Sequence, residues 1–145
     1  MLQFLQFLAI VFTALALVPG GAHLLEMANK LKLARAEYFV VQSIYRGWAA
    51  SGVVVLAALA ANLGAAFVEG ANGEPLWPSA TAAMLILATL IVFFRWTQPV
   101  NKATRNWSAQ PEDWEKLRSR WEVSHAVNAV LTFAALCFAT IAAIA

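Results

Sequence analysis

The sequence predicts an all-α integral membrane protein: a single four-helix bundle whose second and fourth helices extend into the cytoplasm. Three observations predict it. Of 145 residues, 61% are apolar and only 12% charged, with a mean hydropathy of +0.67, against roughly half and a quarter in ordinary soluble domains. The apolar residues gather into four runs, each near the roughly 20 residues that a helix needs to cross the hydrocarbon layer. All ten Lys and Arg residues fall in or beside two of the three connections between those runs. So short a chain has too much surface to hide this apolar excess in a core, which makes a bilayer its natural solvent.

The first run, Leu2 to Val18, is broken only by Gln3, Gln6 and Thr13, and Pro19-Gly20-Gly21 should kink or loosen its helix rather than end it, giving a span of 2–27. Ala14-Leu15-Ala16 resembles a signal-peptide cleavage site, but the charged n-region is missing, so the first helix is expected to stay. The second span, 35–69, starts in water at Arg35, where Tyr38, Val41, Tyr45 and Trp48 recur at helical spacing, and enters the membrane along the uncharged run Trp48 to Val68. The third, 77–97, is short and ends between Trp77 and Trp96, with Gln98-Pro99 and Asn101 marking a break. The fourth, 111–145, places Pro111 as a first helical residue with Glu112, Asp113 and Glu115 in its opening turn, where the helix dipole favours them. Cys137 lies in this run; a lone cysteine excludes an internal disulfide and fits a small core side chain. Trp48, Trp77 and Trp96 fit an interfacial belt.

The basic connections carry Lys30, Lys32, Arg35 and Arg46, then Lys102, Arg105, Lys116, Arg118 and Arg120, with Arg95 at the exit of the third run. The Glu69 to Pro78 connection has none. The positive-inside rule then makes both basic connections cytoplasmic and puts the two termini on the other side. Without a dense basic stripe, nucleic acid is not an expected partner. Helices two and three offer no polar pathway, which disfavours a channel or transporter.

The only two histidines, His23 and His125, fall at the cytoplasmic ends of helices one and four, at similar depth, so the topology lets them meet. Each has a glutamate three residues away on the same face, Glu26 and Glu122. One reading is a mononuclear metal site of His23, Glu26, Glu122 and His125, since imidazole and carboxylate suit iron, zinc or copper. The second half of a dinuclear carboxylate site is missing. A haem between the imidazoles is another reading. In a third, the glutamates balance nearby cations, Glu122 with Arg118 or the basic residues of helix two, and the histidines only join helices. A fourth starts from Trp114, Arg118, Trp121, His125 and Asn128, which recur on one face of helix four. Two indoles, a cation, a base and an amide suit stacking an aromatic ligand, taking its proton and holding the resulting anion.

The chain also resembles the DUF1772 family of small four-helix membrane proteins. The resemblance rests on Pro99-Val100-Asn101, Asn106-Trp107, Pro111, Trp114, Leu117-Arg118, Trp121 and His125. Pro19-Gly20-Gly21-Ala22-His23-Leu24-Leu25-Glu26, with Gln42, Tyr45, Arg46, Gly47 and Trp48, looks like a bacterial subgroup of it. Asn128 stands where many relatives have arginine. The resemblance implies a bacterial inner-membrane protein that oxidises a phenolic, anthrone-like or quinol-like compound with dioxygen and needs no organic cofactor. On that reading His125 is the general base, Arg118 and Asn101 stabilise the anion, and Trp114, Trp121, Asn128 and Tyr45 bind the substrate. His23 and Glu26 then serve as a second proton relay or as metal ligands. The competing expectation is a non-catalytic accessory membrane protein that binds a lipid, quinone, haem or metal.

Overall fold

The computed structural model describes residues 1–144 and places four long apolar helical stretches side by side, as in an integral membrane bundle. Helix α1 runs over Leu2–Lys30, α2 over Arg35–Gln42, α3 over Gly52–Asn72 and α4 over Trp77–Val92. A π-helical segment, Phe93–Thr97, joins α4 to α5, Gln98–Ala103, and α6 covers Trp114–Ile144. Neighbours in the bundle are α1 with α3, α3 with α4, α4 with α6, and α6 with α1, so the first and last helices close the ring. The predicted end of span four, Ala145, lies outside the described residues.

Burial is inverted relative to a water-soluble bundle. Phe67 is 77% exposed and Phe4 63%, whereas Thr13 and Asn62 are 0% exposed. The inner faces are built from small residues, including Ala9 and Ala16 on α1, Ala58, Ala61 and Ala65 on α3, Ala82 and Ala83 on α4, and Ala129, Ala135 and Ala139 on α6. In lipid there is no hydrophobic force between helices, so close backbone approach by small side chains supplies the packing. Asn62 donates to Thr13 Oγ1 at 3.2 Å and ties α3 to α1 at the bundle centre. Near the end without basic residues, Glu69 Oε1 accepts from Gln6 (3.1 Å) and Ser79 (2.9 Å), which joins three helices.

Four predicted boundaries move. Helix one passes through Pro19 and continues to Lys30, three residues beyond the expected end. Span two is not one helix: after Gln42 come the 3₁₀ turns Ser43–Tyr45 and Trp48–Ser51, separated by Gly47 at φ +88°. Only glycine takes that conformation freely, and the turn it permits folds Tyr45 and Trp48 back toward α1. The predicted break at Pro99 is instead an early position of α5, just past the π segment. Pro99 has no N–H for the carbonyl of Arg95; Arg120 Nη2 donates to that carbonyl instead, at 2.9 Å. Helix four begins at Trp114 rather than Pro111, whose carbonyl accepts from the Trp114 N–H (3.3 Å) and from Arg35 (3.2 Å).

Between α5 and α6, three consecutive non-glycine residues, Arg105, Asn106 and Trp107, have φ of 49°, 54° and 64°. Each such residue is disfavoured by about 1–2 kcal/mol. The turn is held by Asn106 N–H to Asn101 O (2.7 Å), Trp107 N–H to Thr104 Oγ1 (3.1 Å) and Ala109 N–H to Thr104 O (2.9 Å). Its product is the insertion of Trp107 into an aromatic cluster with Tyr38, Phe39, Trp114 and Trp121.

Candidate functional site

At the basic end of the bundle, α1 and α6 cross closely beside Gly20, where an added Cβ would sit 3.4 Å from Ala129 Cα. One turn further along each helix are the two histidines, and their ring centroids lie 4.3 Å apart. The Trp121 ring is 4.1 Å from His125 and 4.8 Å from His23, and Tyr45 is 4.4 Å from His23. Trp48 completes this side, 5.0 Å from Tyr45 and 5.7 Å from His23. The three tryptophans expected in an interfacial belt, Trp48, Trp77 and Trp96, are all exposed, and Trp48 also packs against the site.

The centre of the site is Lys30, which sequence reasoning counts among the interfacial cations. It is 4% exposed. Its Nζ lies 3.0 Å from Glu122 Oε2, 3.1 Å from His23 Nδ1, 3.3 Å from the Tyr45 hydroxyl and 3.6 Å from Glu26 Oε2. It also sits over the rings of Tyr45 and Trp121 at 4.9 and 5.2 Å, close enough for cation–π attraction. Glu122 is fully buried, and its other oxygen, Oε1, accepts a hydrogen bond from Tyr38 at 2.9 Å. Tyr45 donates to Glu26. Glu122 therefore pairs with Lys30, correcting the expectation that Arg118 or the basic residues of helix two balance it. His23, Glu26 and Lys30 share one face of α1, at steps of three and four, and that spacing was the available signal.

Arg118 has a different task. Its guanidinium lies over Trp114 (4.5 Å) and Tyr38 (5.4 Å) and donates to Leu33 O at 2.9 Å, holding the α1–α2 connection down on α6. Asn101 accepts from the Trp121 indole N–H at 2.9 Å and so fixes that ring between the histidines and the aromatic cluster. Asn128 projects from the same face of α6, its Oδ1 buried with no hydrogen-bond partner. His125 Nε2 is likewise buried with no partner. Burial pushes the Tyr38 phenol well above its ordinary pKa, and the neighbouring Glu122 carboxylate adds to the effect. Burial, and then the bond to Glu26, does the same to Tyr45.

The residues fit neither a metal nor a haem. Among the described residues no three His, Cys, Asp or Glu side chains form a group able to hold a metal ion. Three of the four suggested ligands, His23, Glu26 and Glu122, already face the ammonium of Lys30. The two imidazole rings touch each other directly, which leaves no room for a haem iron between them. What the arrangement offers is an imidazole nitrogen of His125 without a partner, beside an aromatic wall and close to one buried cation. Comparisons with protein-family models, with curated proteins and with solved structures found no match.

Proposed function

We propose that this chain takes a hydrophobic phenolic, anthrone-like or quinol-like compound from the bilayer and oxidises it with dioxygen, as the DUF1772 resemblance implies. The observation that carries the reading is His125 Nε2, a basic nitrogen that is buried beside Trp121 and has no partner within the chain. Such a nitrogen is suited to accept a proton from a bound molecule. A lipid-facing groove of about 360 Å³, lined by Leu15, Val18, Pro19, Trp48, Ser51 and Val54, reaches the Trp48 edge of the site and supplies a lateral entry for an apolar substrate. Lys30 is the cation nearest the two imidazoles, while Arg118 donates to Leu33 O and Asn101 holds the Trp121 indole.

In this reaction His125 removes a proton from a phenol-activated methylene, and the carbanion gives up its electrons to dioxygen. For an anthrone the CH₂ becomes C=O, one oxygen atom entering the product and the other leaving as water; a hydroquinone instead becomes the quinone, its two hydrogens leaving with dioxygen as hydrogen peroxide. The positive-inside rule places the basic end in the cytoplasm of a bacterial inner membrane, with both termini outside. A second reading, a non-catalytic accessory protein that binds a lipid or quinone, is favoured by one observation: the ammonium of Lys30 is already taken up by Glu122, His23 and the Tyr45 hydroxyl.

Oxygen uptake by the purified chain in lipid nanodiscs, with a dihydroxyanthrone or a long-chain hydroquinone as substrate, tests this. His125→Ala should lower the rate by about 10²-fold or more, and Trp77→Phe, at the far end of the bundle, should leave it unchanged. Full activity in His125→Ala overturns the base assignment. A wild-type chain that consumes no oxygen yet retains a bound quinone establishes the accessory role instead.

A further inference from the structure

We propose that a groove between the π segment and the first turns of α6 holds an anionic phospholipid, with its phosphate at the basic end and an acyl chain running toward the membrane centre. None of its residues belongs to the histidine cluster, so the inference is independent of the oxidation reading. The groove has a volume of about 600 Å³, within the range of about 300–1,000 Å³ usual for small-molecule sites.

Its lining changes character along α6. Lys116, Ser119 and Arg120 form one end, and Val123 and Val127, facing Val92, form the other. Lys116 and Arg120 are four residues apart and share a helix face. Trp96, carried by the π segment, forms a side wall, and the Arg95 guanidinium lies 5.8 Å from its ring. Cation, hydroxyl and then valine is the order a lipid presents from phosphate to tail.

Charge selects the occupant. No acidic residue lines the groove, and Glu112 and Glu115, close by in sequence, lie outside it. Among the described residues neither Lys116 nor Arg120 is in an ion pair; both ion pairs belong to Lys30. Arg120 is oriented by the Arg95 carbonyl that Pro99 leaves without a donor, which fixes the guanidinium at the mouth of the groove. Basic pockets between membrane helices at the cytoplasmic face recognise anionic headgroups in this way. A zwitterionic lipid brings its own ammonium to the same two cations and is disfavoured.

Native mass spectrometry of the full chain in detergent, with an equimolar mixture of phosphatidylglycerol and phosphatidylcholine of matched chains, tests the proposal. One phosphatidylglycerol should be retained per chain, at least tenfold over phosphatidylcholine. Lys116→Gln with Arg120→Gln should weaken retention about 30-fold. Lys32→Gln with Lys102→Gln, which removes two exposed cations outside the groove, should not. Val127→Trp fills the apolar end, leaves both cations in place, and should also abolish retention. Equal retention of the two lipids, equal effects of the two charge pairs, undiminished binding in Val127→Trp, or an adduct with inorganic phosphate but none with phosphatidylglycerol would each overturn it.

Discussion

Replacing Lys30 by methionine keeps most of the side-chain volume and removes the one charge that faces Glu122. The pair is 3.0 Å apart, with Lys30 5% and Glu122 0% exposed at the side chain. At an effective dielectric of about 20, their attraction is about 5–6 kcal/mol before desolvation. Breaking a buried pair from one side generally costs about 3–5 kcal/mol, because the remaining charge is left uncompensated. Tyr38 still donates to Glu122 Oε1 in the variant, which points to the lower half of that range. The contact to Glu26 adds little, since that carboxylate is 43% exposed and screened. Unfolding in mixed micelles of increasing SDS fraction, followed by far-ultraviolet circular dichroism, reads the loss directly. Lys30→Met should be about 3 kcal/mol less stable than wild type. Lys30→Met with Glu122→Gln should recover to within about 1 kcal/mol, since removing both charges of a buried pair is often neutral. A single variant that loses under about 1 kcal/mol, or a double variant that only sums the two singles, would refute a buried ion pair as the core of the site.

Two further outcomes follow from the same geometry. The chain has only two tyrosines, Tyr38 and Tyr45, and both are held above the ordinary phenol pKa. A folded pKa above the unfolded value gives stability that is complete below about pH 10 and is lost as pH rises past it. Tyrosinate absorption at 295 nm should therefore be absent from the folded protein at about pH 10 and appear together with unfolding; a normal titration of either phenol in the folded state would contradict its burial. Gly20→Leu drives a side chain into Ala129 and should cost about 1–3 kcal/mol by overpacking. It should also separate the imidazoles, which a weakened fluorescence coupling between Trp121 and its surroundings would report; unchanged stability would show that α1 and α6 do not need glycine there.

Much of the architecture was legible because lipid exposure leaves long uncharged runs, and because ten basic residues agree on one topology. The approach of His23 to His125 follows from that topology together with the depth of each residue. The chemistry at the centre was harder to read. A lysine at a helix end looks like an interfacial cation, and only its place four and seven residues from Glu26 and His23 set it apart. Tyr38 is buried because the Arg105 to Trp107 turn brings Trp107 onto it, a conformation that side-chain periodicity does not encode. The break after Gln42 depends on the φ of Gly47, and glycine also occurs in helices and turns that need no such angle. The π segment left a trace in Pro99, which marks an irregularity four residues upstream without specifying its form.

The ion pair joins the first membrane helix to the last, which bears on how the polypeptide is made. A ribosome releases Lys30 long before Glu122, so α1 emerges with only the half-exposed Glu26 beside its lysine, and the buried partner comes with the last helix. The seam between α1 and α6 is thus the last to close: a chain truncated before Glu122 leaves Lys30 without its buried partner.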